Sequence, residues 1–117
     1  MSQRSKRVAD MVRAELADIL LRDTADPRLR SASVMSVDLS PDLRHATVHV
    51  SVLGSDDERE AAVGVLNRAQ GHLRRGLARR AHLKSVPELR FRLDRGAEHT
   101  LRITELLEES HDDEQGS

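Results

Sequence analysis

The chain has 117 residues, no cysteine, tryptophan or tyrosine, a single phenylalanine and a formal net charge of −1. That length points to one domain with one modest core, and the missing cysteines exclude disulfides and thiolate chemistry. The near absence of aromatic rings argues against recognition by stacking bases on exposed side chains. No apolar run is long enough to span a membrane, and no apolar signal region follows the basic start, so a cytoplasmic location is expected.

In chain order, Val8, Met11, Val12, Leu16, Ile19 and Leu20 follow helical spacing, with Glu15 breaking the apolar stripe, and predict a helix over about 5–21. A loop follows over 22–31, where Asp26-Pro27 stops any helix. Met35, Val37 and Leu39 alternate with Ser36 and Asp38, which predicts a strand with the apolar three facing in. Ser40-Pro41-Asp42-Leu43 reads as a turn. Ala46, Val48, Val50 and Val52 alternate with Thr47, His49 and Ser51 in a second strand, completing an antiparallel hairpin.

Ser55 and Glu58 then fit a capping box at the start of a helix whose buried stripe is Val63, Leu66, Leu73 and Leu77. This helix is expected to break once, at Ala69-Gln70-Gly71, because a glycine inside a helix costs about 1 kcal/mol against alanine. Val86-Pro87 closes the helical region, and Leu89, Phe91 and Leu93 face in from a third strand with Arg90 and Arg92 out. Ile103, Leu106 and Leu107 suggest a short last helix, whose Glu108 and Glu109 have the wrong sign for its C-terminal end. The order α-β-β-α-α-β predicts an α+β two-layer sandwich with a three-stranded mixed sheet, the order of the type II K-homology fold. The domain is expected over 1–107, with 108–117 an acidic flexible tail.

The charges are unevenly placed. Thr104 to Ser117 hold six acidic residues and no Lys or Arg, while the residues before them hold all 19 basic groups against 14 acidic ones. All basic residues but Lys6 and Lys84 are arginine, a choice that suits bidentate phosphate contacts. A GC-rich genome would also favour arginine, but codon usage does not cluster charges. Between Asn67 and Pro87 there is no acidic residue, and Arg68, Arg74, Arg75, Arg79, Arg80 and Lys84 fall there. On a helical wheel Arg68, His72, Arg75 and Arg79 lie on one side, opposite Leu66, Leu73 and Leu77. A merely solvated helix face mixes signs to gain pairs four residues apart, and this one does not. The stripe is therefore expected to meet the phosphates of a polyanion. Arg4, Lys6 and Arg7 oppose the macrodipole of the first helix, which suggests a phosphate contact as readily as an ordinary solubilising terminus.

Other chemistry has weaker support. A K-homology domain that grips single strands carries a GxxG loop between two helices. None occurs here, and no phosphate-binding P-loop sequence is present. His45 and His49 share a strand face with Asp38 nearby, yet no metal-binding or nucleophile motif accompanies them. No cofactor or metal is expected.

Asp26-Pro27-Arg28, Ser40-Pro41-Asp42-Leu43 with Ala46-Thr47-Val48, Ala69-Gln70-Gly71, Pro87-Glu88-Leu89-Arg90-Phe91 and Asp94, in this order and spacing, resemble the ribosome-binding factor A family over about 4–107. The resemblance implies a K-homology fold with an Ala-x-Gly kink in place of GxxG. It implies a non-enzymatic, monomeric assembly factor that binds the free 30S subunit and 16S rRNA, supports late maturation and 5′-end processing, and is linked to growth in the cold. Ribosomal proteins and other assembly factors, GTPases among them, are implied as further partners. Ala69, Gly71, Arg74, Arg75, Arg79 and Arg80 are the implied RNA-facing residues. The alternatives are a generic K-homology-type nucleic-acid-binding domain, a nuclease using His45 and His49, and an adaptor recruiting a basic partner through the acidic tail.

Overall fold

In the first helix, α1 (Gln3–Arg22), the residues Ala9, Val12, Leu16, Ile19 and Leu20 are buried along one stripe. The helix outruns the expected 5–21 by one or two residues at each end, where only polar residues are added. The structure, a computed structural model, describes residues 3–22, 26–29, 31–81, 83 and 85–94. Lys84, the expected last helix and the acidic tail lie outside the described residues.

A single 3₁₀ turn, Pro27–Leu29, buries Leu29 and leads into strand β1 (Ala32–Leu39). Strand β2 (His45–Val52) pairs antiparallel with β1, and strand β3 (Glu88–Leu93) pairs parallel with β2, so β2 is central. A parallel neighbour requires a crossover. Helices α2 (Asp56–Arg68) and α3 (Gln70–Ala81) supply it. The result is the expected α-β-β-α-α-β sandwich with a mixed sheet.

The hairpin turn is tied by side chains. The Asp42 carboxylate accepts from the Ser40 hydroxyl (2.6 Å) and the Arg44 N–H (3.0 Å), and the Ser40 oxygen accepts from the His45 N–H (3.0 Å). Leu43 adopts the left-handed conformation, with φ 61°.

One expected side-chain direction is wrong. The register runs Val34↔Val50, then Ser36↔His49, so Met35 is the extra residue of a β-bulge. A bulge inverts the alternation on either side of itself. Val34 and Val37 therefore share the inner face, while Met35 points out and is 43 % exposed.

The second-layer helices begin as the sequence implies. Ser55 Oγ accepts the Glu58 N–H (3.2 Å), Glu58 Oε1 accepts the Ser55 N–H (3.1 Å), and Asp56, Asp57 and Glu58 face the positive end of the α2 dipole. The core lies between the layers. Val48, Val50 and Phe91 from the sheet meet Val12, Leu16, Leu66 and Leu77 from the helices, all essentially without exposure. Each such side chain stabilises the fold by about 1.5–3 kcal/mol. Among the described residues no helix is long and apolar enough to cross a membrane.

Candidate nucleic-acid interface

The break in the helical arm is a single residue. The Ala69 N–H still donates to the carbonyls of Val65 (3.0 Å) and Leu66 (3.2 Å), while its own carbonyl accepts the Leu73 N–H (3.0 Å). Ala69 thus ends α2 and opens α3 without an intervening loop, as the Ala-Gln-Gly sequence implied. The first turn of α3 follows directly on the last turn of α2. No acidic residue occupies that first turn.

Gly71 sits in it. Its φ is not in the left-handed region, and among the described residues a Cβ built there would meet only the Arg75 guanidinium, at 3.7 Å. Neither conformation nor internal packing requires glycine, so the bare backbone remains open to an outside partner. Gly76 differs: a Cβ there would come within 3.2 Å of Ile19 Cδ1, so this glycine lets α3 approach α1.

The arginines divide into two sets. Arg68, His72, Arg75 and Arg79 are exposed, on the side of the arm opposite the buried Leu66, Leu73 and Leu77. Among the described residues no carboxylate forms an ion pair with Arg75 or Arg79. Arg74 and Arg80 are engaged internally. The Arg74 guanidinium donates to the carbonyls of Val86 (3.0 Å) and Pro87 (3.2 Å), holding the chain as it enters β3. Arg80 forms an ion pair with Asp18 of α1 and lies 3.8 Å from Glu15. The hydrogen bond from Arg80, reinforced by the charge of Arg22, holds the Asp18 carboxyl below its ordinary range.

Two sequence signals for the Arg80 clamp were available: Glu15 interrupts an apolar stripe, and Asp18 follows three residues on. Gly76 meets Ile19 while Arg80 meets Asp18 and Glu15, so α1 and α3 run antiparallel where they touch. The C-terminal end of α3 therefore points toward the N-terminal half of α1, where Arg4, Lys6 and Arg7 are exposed.

Two further residues at the break had no sequence signal of their own. Asn67 bridges to the outer edge of β3: its Nδ2 donates to the Phe91 carbonyl (3.1 Å), and the Phe91 N–H donates to its Oδ1 (2.8 Å). An amide used in this way replaces a missing neighbouring strand. Beside it, Gln70 Oε1 is buried and has no hydrogen-bond donor among the described residues, at a cleft of about 420 Å³ that reaches Thr47 and Arg90.

Asp26, Pro27 and Arg28 form a closed turn. The Asp26 carboxylate accepts from Arg28 Nη2 (2.8 Å), Nε (3.1 Å) and the backbone N–H (2.9 Å). The Arg28 side chain first, then its N–H, hold the Asp26 carboxyl down to about 2. Arg68 lies near enough to add to this effect.

His45 and His49 do lie on one sheet face. His49 Nε2 is 2.9 Å from Asp38 Oδ2, and His45 Nδ1 is 3.4 Å from Glu88 Oε2. Each histidine is thus matched to one carboxylate across a strand pair. Among the described residues there is no cluster of three side chains able to hold a metal.

Comparison with known proteins agrees with this architecture. The family model described as ribosome-binding factor A matches residues 4–107. The chain is 45 % identical over 114 residues to ribosome-binding factor A of Thermomicrobium roseum, covering 97 % of this chain and 88 % of that one. It is 40 % identical to that of Halothermothrix orenii, covering 97 % and 93 %. The crystal structure of ribosome-binding factor A from Thermus thermophilus superposes with a TM-score of 0.67 at 29 % identity, covering 76 % of this chain and 94 % of that one. A homology model of the Thermus thermophilus protein, fitted into a cryo-EM map of a 30S–RbfA complex, superposes at 0.64 with 31 % identity, covering 74 % and 91 %. The chain belongs to the ribosome-binding factor A family.

Proposed function

We propose that this protein is a non-enzymatic assembly factor that binds the free 30S subunit through 16S rRNA and supports late maturation and 5′-end processing of that RNA. One observation carries the proposal: Arg68, His72, Arg75 and Arg79 form an exposed stripe along a rigid two-helix arm that has no acidic residue between Asn67 and Pro87. Like charges at this spacing weaken a helix by a few tenths of a kcal/mol per pair, about 0.2–0.5, a cost that a bound polyanion reverses. The bare backbone at Gly71 allows close approach of a phosphate at the break. Arg4, Lys6 and Arg7 extend the cationic surface, and Arg74 and Arg80 hold the arm in place. The relative fitted into a 30S complex supports the choice of partner.

The contacts are to phosphate and shape. Affinity therefore depends on salt, and specificity comes from the folded form of the RNA. In this mechanism the protein holds a local arrangement of immature rRNA until assembly passes it. The test is co-sedimentation of Arg75→Glu/Arg79→Glu with 30S particles. Loss of binding with an unchanged circular-dichroism spectrum is expected, and wild-type binding would refute the proposal. Naked RNA or DNA competing as well as 30S subunits would instead indicate a generic nucleic-acid binder.

A further inference from the structure

We infer, on the basis of that proposed role for the arm, that the open face of the sheet is a second rRNA contact, in which Arg90 and Arg92 hold the phosphate backbone of one strand. The apolar side chains of the three strands pack into the core with α1, α2 and α3, and among the described residues nothing covers the opposite face of the sheet. Its residues on β2 and β3 are His45, Thr47, His49, Ser51, Glu88, Arg90 and Arg92, with no apolar side chain among them and each imidazole set against a carboxylate. Apart from the exposed Met35 on β1 this face is polar and cationic, and it can contact a sugar–phosphate backbone.

The pairing of charges on this face is unusual. A solvated sheet face gains stability by setting opposite charges across neighbouring strands. Here the two carboxylates are matched to histidines, Asp38 to His49 at 2.9 Å and Glu88 to His45 at 3.4 Å. The register sets Arg90 opposite Thr47 and Arg92 opposite His49. Both guanidiniums are exposed, and among the described residues neither has an ion-pair partner. Two residues apart on one strand, their Cα atoms stand about 7 Å from each other, a spacing suited to successive phosphates of an extended strand.

The face is continuous with the arm. Gln70, at the helix break, shares the 420 Å³ cleft with Thr47 and Arg90. Among the described residues Gln70 Oε1, buried there, has no donor. A strand that leaves the open backbone at Gly71 therefore passes Gln70, reaches Arg90 at the mouth of the cleft and continues to Arg92. Arginine at both positions suits bidentate phosphate contact.

The test compares 30S affinity over a salt series for the wild type, Arg90→Gln/Arg92→Gln, Arg90→Lys/Arg92→Lys and Arg75→Glu/Arg79→Glu. The glutamine pair is expected to bind roughly tenfold more weakly, with a plot of log K against log salt shallower by about 1.4, about 0.7 for each phosphate no longer neutralised. The lysine pair, which keeps the charge, is expected to retain the wild-type slope. Arg92→Gln alone, with half the slope change, serves if the double variant does not fold. Wild-type affinity and slope for the glutamine variants overturn the inference. If Arg75→Glu/Arg79→Glu still loses binding in that case, the proposed role of the arm stands; if it does not, that role fails separately. A loss on 30S particles without a loss on protein-free 16S rRNA would assign the face to a ribosomal protein and overturn the RNA contact.

Discussion

Arg74, Arg75, Arg79 and Arg80 lie within one short stretch of α3, yet their side chains do different work. Arg74 is half-buried and satisfies two carbonyls before β3. Arg74→Ala leaves both without that donor and is expected to cost about 1.5–3 kcal/mol, as for hydrogen bonds to a charged group. Arg80→Ala removes the clamp on α1 and is expected to cost about 1 kcal/mol, near the upper end for a partly exposed pair. Arg75 and Arg79 have no hydrogen-bond or ion-pair partner among the described residues, so Arg75→Ala and Arg79→Ala should stay within about 0.5 kcal/mol of wild type in stability. Urea unfolding monitored by circular dichroism separates the two pairs, and 30S binding should rank them the opposite way for Arg75 and Arg79. Glu15 and Asp18 mark α1 as a partner for a cation, but which arginine meets them was not legible in the sequence. Helical spacing places a residue on a face but does not reveal that Asp18, 62 positions away, reaches Arg80.

At the scale of the elements, the two glycines of α3 offer a paired experiment. Gly71→Ala adds a methyl group in ordinary contact, 3.7 Å from the Arg75 guanidinium. It is expected to leave the fold intact or stabilise it by about 0.4–1 kcal/mol, while lowering rRNA affinity by obstructing the backbone. Gly76→Ala presses a Cβ against Ile19 and is expected to destabilise the protein by about 1–3 kcal/mol through overpacking. Thermal unfolding together with 30S binding reads both effects, and a Gly71→Ala variant that binds as wild type would remove the close-approach role of the break. The elements themselves were largely legible. Alternation in β2 and β3, the Ser55–Glu58 capping box and the Ala69 break each follow from local spacing and are found where that spacing puts them. Met35 was not, because a bulge depends on the register against β2, which β1 alone does not encode. Asn67 escaped for a similar reason: only the assembled sheet reveals that β3 has an edge in need of an amide.

Across the whole molecule, carboxylates tied to donors set the acid limit of the fold. Asp18 is held below its ordinary pKa by Arg80, Asp26 by Arg28, Asp42 by Ser40 and the Arg44 N–H, and Glu58 by the Ser55 N–H. Each has a lower pKa folded than unfolded, so the unfolded chain takes up more protons as the pH falls. Their stabilisation is complete above about pH 5 and is lost as the pH drops through about 4 toward 2. A series of urea midpoints from pH 6 to pH 2 should fall across that window, and Asp26→Asn should flatten the fall between pH 4 and 2. The same distribution of charge that ties α1, the 3₁₀ turn and α2 together leaves the outer side of the arm cationic, and this is the surface on which the proposed function depends.

The chain has no cysteine, so a single introduced thiol gives a unique attachment point for a hydroxyl-radical source. Tethered at His72→Cys on the arm and, separately, at Ala17→Cys on the exposed side of α1, the probe reports which surface faces 16S rRNA in the 30S complex. Strong, localised cleavage from position 72 and little from position 17 is predicted. Cleavage from position 17 alone, or of equal strength from both, would contradict docking through the arginine arm.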